Sequence, residues 1–387
     1  MVEWKTIEEL GSFFGGLTGK TKNDFVDGNA NFITYMNVFS NPSLNPSEVG
    51  AVKINEGEKQ NKIQKGDILF TGSSETPEET GMSCVVTDDL KEDFYMNSFC
   101  FGLRLYSPEQ VNLHYLKHIL RSEPVRKSIA KTASGVTRYN ISKARFSKIK
   151  LPIPSLSEQQ RIVSILDTFT SSISNLKQQI EERRKQYEYE RDLLLDLEGK
   201  EGVEMKKLGE VCTFSQGIQV PVEQQILEKK EGYCRFLRII DFTQGEEPPR
   251  YVPISDKNYY LDVDDIAMVR YGSPGFVCVG KRGIIANNLF KVNIINSDFV
   301  TKLFLACLLK SKLFQKQIKQ KSLGGALQAI SFGLLRNIIL PFPPLSTQSR
   351  IVSILDTFEQ SIANLEEQLA MREKQYEYYR NQLLTFE

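Results

Sequence analysis

Apolar residues recur at alternating steps of three and four along two long stretches of the chain. In the first they fall at Leu166, Phe169, Ile173, Leu176, Ile180, Tyr187, Leu194 and Leu197, with Arg183 and Glu190 interrupting the same seam. In the second they fall at Leu355, Phe358, Ile362, Leu365, Leu369, Tyr376, Tyr379, Leu383 and Phe386, with Arg372 among them. A seam of this period predicts one coiled-coil helix per stretch, of about 40 residues and roughly 60 Å. Leu151-Pro152-Ile153-Pro154 and Leu340-Pro341-Phe342-Pro343 precede them as extended breakers. Ser157 with Gln160 reads as a capping box, and Ser346 as a cap without the matching glutamine. The natural partner of each helix is the other. Periodicity alone leaves parallel and antiparallel packing open. Elsewhere, Lys65 to Phe70 and Val263 to Met268 read as a turn feeding a strand. Leu113, Leu116, Ile119 and Leu120, and again Phe304, Leu305, Leu308 and Leu309, space as amphipathic helices.

The two stretches are copies. RIVSILDTF at 161–169 returns at 350–358, an offset of 350 − 161 = 189, and the agreement runs from Leu151–Glu198 to Leu340–Glu387. Val2-Glu3-Trp4-Lys5 and Leu10-Gly11 are answered by Val203-Glu204-Met205-Lys206 and Leu208-Gly209, so the duplication covers whole halves. At Asp67 and Asp265 the offset is 265 − 67 = 198, nine more than at the helices. The nine extra residues of the first half are placed in Ser73–Thr80 and the residues just after it. The predicted fold is α+β, with globular α/β domains at 1–150 and 201–339 and helical segments at 151–200 and 340–387. Divergent loops on a shared frame are where specificity is expected.

Composition narrows the class. The chain has 387 residues, 41% hydrophobic and 25% charged, as expected of more than one globular domain. MVEWKTIEEL lacks the apolar core of a signal peptide, no uninterrupted apolar run suggests a membrane helix, and a cytoplasmic location is expected. Six scattered cysteines without a CxxC pair fit reduced thiols. The net charge of +1 argues against a nucleic-acid binder, but its distribution argues for one. Basic residues crowd Lys117–Lys150 and Lys302–Arg336, at equivalent places in the two halves, as a footprint on a polyanion would require. Solvated helix faces would give the same pattern. Glycine-bearing loops come next, with Arg138 and Tyr139 at one tip and Gln328 at the other, suited to a phosphate or a base edge. Lys20 and Lys22 on an early glycine loop, and Arg270, Tyr271, Lys281 and Arg282 on turns, are further candidate DNA contacts. Gln219 and Gln328 are candidate adenine readers.

Chemistry is thinly represented. Phe14 to Thr21 looks like a phosphate-binding loop but has Phe14 where that motif needs glycine, leaving nucleotide binding through Gly15–Thr21 as a weak alternative. His114 and His118, four apart and the only histidines, lack further metal ligands and give no basis for a Ser-His-Asp arrangement. No Asn/Asp-Pro-Pro-aromatic signature of an amino methyltransferase is present. No catalytic or metal residue is assigned.

A variable domain, then LPxPxLSxQ (Leu151 to Gln159, Leu340 to Gln348), then RIVxILD and a tyrosine-rich helix, all twice over, resembles the specificity subunit of Type I restriction-modification systems. The resemblance covers essentially the whole chain. It implies two target recognition domains separated by two antiparallel spacer helices with an internal pseudo-twofold repeat. Each domain is then expected to read one part of a bipartite site in double-stranded DNA. The resemblance also implies two methyltransferase subunits and restriction subunits as partners, which use S-adenosylmethionine, ATP and Mg, while this chain is non-catalytic. A plain coiled-coil scaffold is the other reading.

Overall fold

The computed structural model describes residues 2–243, 247–254, 257–321 and 329–386. The chain divides into two units, Met1–Lys177 with Gln368–Glu387, and Gln178–Glu367.

In the first unit a four-stranded sheet runs in the order Gly11–Gly15, Cys100–Leu105, Ile68–Thr71, Ser83–Val85, all antiparallel. A second sheet sets Ala30–Ile33 between Val49–Val52 and a parallel neighbour, Phe94–Met96. The second unit repeats the four-stranded order with Cys212–Gln216, Leu289–Ile294, Ile266–Val269 and Val277–Cys278. It also repeats the parallel pair, with Tyr233–Leu237 beside Gly283–Ile285. Ile68, Phe70, Phe101 and Leu103 in one unit, and Ile266, Met268, Phe290 and Val292 in the other, are buried against the helices that follow them, Leu113–Ile119 and Lys302–Lys310.

Strand register locates the nine residues by which the first half is longer beyond Asp67. Cys84 faces Leu69 where Cys278 faces Ala267, an offset of 278 − 84 = 194. Leu103 faces Ile68 where Val292 faces Ile266, an offset of 292 − 103 = 189. The nine residues therefore split into four before Ser83–Val85 and five between that strand and Cys100–Leu105. Register also corrects one sequence equivalence. Gly11 faces Leu105 as Cys212 faces Ile294, so the helix Leu208–Val211 answers Ile7–Leu10, and the two Leu-Gly words do not correspond.

The predicted long helices are Leu156–Leu194 and Leu345–Leu383, 39 residues each. The breakers before them are strands that close back on each half's first strand: Lys150–Ile153 on Glu3–Thr6 and Ile339–Phe342 on Glu204–Lys207. The repeated RIVSILDTF begins in the core of its own half, where Ile162 and Leu166, or Ile351 and Leu355, are buried. Farther along, the seam residues are mostly half-buried. In the first unit Phe169 stacks on Tyr379 (5.2 Å) and Lys177 pairs with Glu373 (3.0 Å). In the second Tyr187 donates to Glu359 (2.7 Å) and Arg184 pairs with Glu366 (2.5 Å). Numbers rise on one helix as they fall on the other, so the pairing within each unit is antiparallel.

The expected caps are not the ones formed. The backbone N–H of Glu158 reaches Ser155 Oγ rather than the Ser157 hydroxyl, and Gln160 bonds Asn112. The neighbouring Gln159 is fully buried, accepts from the Asn112 N–H (2.8 Å) and donates to the Pro154 carbonyl (2.8 Å). Its copy Gln348 accepts from the Thr301 N–H (3.0 Å) and donates to the carbonyls of Phe299 and Pro343 (both 2.9 Å). Asn112 and Thr301 cap Leu113–Ile119 and Lys302–Lys310, so the glutamine of LPxPxLSxQ ties each long helix to a domain helix.

Candidate nucleic-acid interface

Where each half's central strand ends, the chain meets the loop that comes after the basic helix. In the first half Ser73–Ser74 pairs with Tyr139–Ile141, matching Ser73 with Asn140. In the second, Tyr271 bridges Ala329. The offsets, 271 − 73 = 198 and 329 − 140 = 189, are those of the two segments, so the same junction is built twice.

The first junction carries a hairpin, Ala133–Ser134 against Tyr139–Ile141. Gly135 has φ +149°, and a Cβ there would lie 2.0 Å from the Arg138 carbonyl, so only glycine closes this tip. Val136 is 89% exposed at the tip. Arg138 donates from Nε to Ser73 Oγ (3.0 Å) and lies over the exposed Phe99 ring (5.4 Å). These contacts orient the guanidinium while leaving it in solvent. Arg138 and Thr137 border a cleft of about 390 Å³ with Tyr35, Met36 and Glu79. Tyr139 is half-buried in the hairpin strand.

At the second junction the Arg270 guanidinium is held by Gln216 Oε1 (2.8 Å) and lies over Phe332 (5.6 Å). Tyr271 and Phe276 are 38% and 40% exposed beside it. Lys281 donates to the Asp241 carbonyl over the Phe242 ring. Arg282 pairs with Asp262 (3.1 Å) on the surface, and Gln219 accepts from Asn287 (3.4 Å). Gln328 lies outside the described residues. Sequence reasoning missed Phe99, Met36 and Gln216, whose relevance comes only from the arginines they meet in space.

The basic zones look different in three dimensions. Arg121 donates to the carbonyls of Val38, Phe39, Asn41 and Ser83, and Arg126 to those of Glu78, Thr80 and Gly81. Burial pulls both guanidiniums down to about 10, still well above neutrality, so they remain charged as internal pins for the loops of the first half. Lys117, Lys127 and Lys148 are tied to Asp167, Glu123 and Glu8. Lys302 is tied to Asp264 and Asp265, and Lys312 to Asp192. Lys131, Lys143, Arg145 and Lys150 stay exposed. Much of the apparent footprint is therefore internal bonding.

Lys20 is closed off too, its ammonium on Glu58 (2.6 Å) and the Lys53 carbonyl (2.6 Å) with a side chain only 6% exposed. Lys22, in the short helix Lys22–Phe25, is exposed. A phosphate-binding loop needs its lysine free and a full helix after it. Neither is present at Gly15–Thr21, so the nucleotide-binding alternative has no geometry to support it. His118 is buried, with Nε2 on Asp167 Oδ1 (2.7 Å) and Nδ1 near the Tyr376 hydroxyl (3.3 Å). Burial resists ionisation of Asp167, but hydrogen bonds from His118 and Lys117 outweigh it and hold the carboxyl at about 2. The cysteines that burial pushes up to about 12, Cys84 and Cys100 among them, are protonated and unreactive.

Comparison with known proteins places this architecture. The profile of the family described as Type I restriction modification DNA specificity domain matches residues 1–183 and again 200–371. The chain belongs to the specificity subunits of Type I restriction-modification systems. A Haemophilus influenzae chain assigned as a type I restriction enzyme specificity subunit is 31% identical over 303 residues, covering 72% of this chain and 73% of that one. The Escherichia coli EcoR124I/EcoR124II specificity subunit is 29% identical over 267 residues, covering 63% and 65%. Two solved structures share the fold at 18% identity. One is from work on assembly and conformational transition of the type I system (TM-score 0.63, covering 99% and 97%). The other is the S subunit from M. genitalium (TM-score 0.56, covering 100% and 97%). Specificity subunits recognise DNA and carry no catalysis themselves, acting in a complex with other restriction-modification subunits. No helix among the described residues is long and apolar enough to cross a membrane.

Proposed function

We propose that each half of this specificity subunit reads one component of a bipartite duplex DNA target through its junction loops, and that the two long helices fix the spacing. Arg138 and the hairpin around Val136 form the first reader, and Arg270, Tyr271, Lys281 and the surface around Gln219 form the second. The carrying observation is the same strand-to-loop junction built at both offsets, one presenting Arg138 over the exposed Phe99 ring and the other Arg270 over the half-buried Phe332 ring with Tyr271 exposed next to it in the chain. A two-stranded ribbon fits the major groove, where arginine reads guanine by paired hydrogen bonds. A scaffold without DNA contacts would have no use for an arginine oriented at both junctions, from the loop side in one half and from the strand end in the other.

In this reading two methyltransferase subunits dock on the chain in the cytoplasm and methylate adenine N6 with S-adenosylmethionine. Restriction subunits add ATP- and Mg-dependent cleavage. The near-neutral charge fits a shared phosphate grip, the partners supplying part of it. The test is single-molecule methylation sequencing in cells expressing the chain with its partners. A motif of two defined blocks around an undefined spacer is expected, and a continuous motif refutes the proposal.

A further inference from the structure

The two long helices share their seam almost letter for letter. Phe169, Leu176, Arg183 and Tyr187 in the first are Phe358, Leu365, Arg372 and Tyr376 in the second, all at the offset of 189. Their contacts repeat as well. Arg372 lies over Phe169 (5.5 Å) in one unit, as Arg183 lies over Phe358 (5.9 Å) in the other. The seam differs in kind at one place, Tyr379, which stacks on Phe169 (5.2 Å) and whose copy is Glu190. Over the rest of its length the seam is too similar to tell a helix from its copy. There, partner choice has to come from the flanking positions.

Two flanking positions differ in sign. Where the first helix has Lys177 and Arg184, the second has Glu366 and Glu373. The native pairs are Lys177 with Glu373 (3.0 Å) and Arg184 with Glu366 (2.5 Å). The offset maps 177 onto 366 and 184 onto 373, so these are one contact made twice with its polarity reversed. A first helix packed antiparallel on another first helix would set Lys177 against Arg184 at both places. Two second helices would set Glu366 against Glu373 at both places. Every unlike pairing is attractive here and every like pairing repulsive.

We infer that Lys177, Arg184, Glu366 and Glu373 form a charge code that makes the first helix select the second and reject a copy of itself. Duplication alone would have left the two helices interchangeable. The code keeps two dissimilar halves paired and works against association of chains through like helices. It concerns helix pairing only, and holds whether or not the junction loops read DNA as proposed above.

The test uses full-length chains. K177E/R184E makes all four positions acidic, and E366K/E373R makes all four basic. The quadruple exchange K177E/R184E/E366K/E373R restores opposite signs in the reverse sense. Hydrogen exchange along 170–187 and 359–376 reports helix opening. Each double variant is expected to open roughly tenfold more readily in low salt, from losing two attractive pairs and gaining two repulsive ones. The quadruple variant is expected to return to the native rate, and about 1 M salt to erase the differences. Mixing the all-acidic and all-basic variants is expected to give a one-to-one heterodimer by light scattering, which neither forms alone. Native exchange rates in the double variants overturn the inference. So do failure of the quadruple variant to recover them and absence of a heterodimer in the mixture.

Discussion

Gln159→Leu removes an amide from the point where the first long helix is tied to its domain, without changing volume much. Gln159 is fully buried, and its carboxamide makes two bonds of 2.8 Å, from the Asn112 N–H and to the Pro154 carbonyl. Leucine would leave both backbone groups without a partner. A buried polar group left unpaired costs about 1–3 kcal/mol. The Pro154 carbonyl lies in a buried bond, whereas Asn112 is half-exposed and recruits water more easily. The expected loss is therefore about 2–4 kcal/mol. In a unit of this size that lowers the melting temperature by about 5–15 °C. Gln348→Leu breaks three such bonds and should cost at least as much in the other unit. Calorimetry of the full chain measures both, and hydrogen exchange at 112–119 localises the first. A change below about 1 °C in both variants would refute the view that these glutamines hold helix and domain together.

Other outcomes rest on single contacts. Gly135→Ala strains a tip where the new Cβ meets the Arg138 carbonyl, and should cost about 1–3 kcal/mol locally, read as faster exchange at 133–141 with the sheet unaffected. Arg126→Met leaves the carbonyls of Glu78, Thr80 and Gly81 unpaired and should expose the 73–82 loop to limited proteolysis. The carboxyls of Asp167 and Asp265 are both held at about 2, below their ordinary value, so their support is complete above about pH 4 and is lost as pH falls toward 2. Asp167→Asn should flatten the acid limb of the stability curve of its own unit, measured by denaturant titration from pH 5 to 2.

The sequence carries the long helices plainly, because a heptad seam is local and its copy confirms it. The duplication was legible from RIVSILDTF, and the nine-residue difference beyond Asp67 from the offsets of 198 and 189. How that difference splits was not, because only strand register separates four residues from five. The caps were misread for a related reason: Ser157 and Gln160 look like a capping box in isolation, yet the partner of Gln160, Asn112, lies far away in the chain. The basic zones were the least reliable signal. Arg121 and Arg126 bond backbone carbonyls, which leave no mark in composition, and lysines such as Lys117 and Lys302 meet acids from distant segments. Arg138 in one unit and Arg270 in the other each lie over an aromatic ring, while Lys20 is locked to Glu58. The sign reversal between Lys177 and Glu366 was visible once the copies were aligned, but its meaning needed the pairing.

The claim that each half reads its own block of DNA is tested most directly by methylation sequencing of cells carrying Arg138→Ala or Tyr271→Ala together with the partner subunits. Arg138→Ala should relax or change one block of the split motif and leave the other intact, and Tyr271→Ala should do the reverse. Equal effects of both variants on both blocks, or an unaltered motif in both, would contradict it.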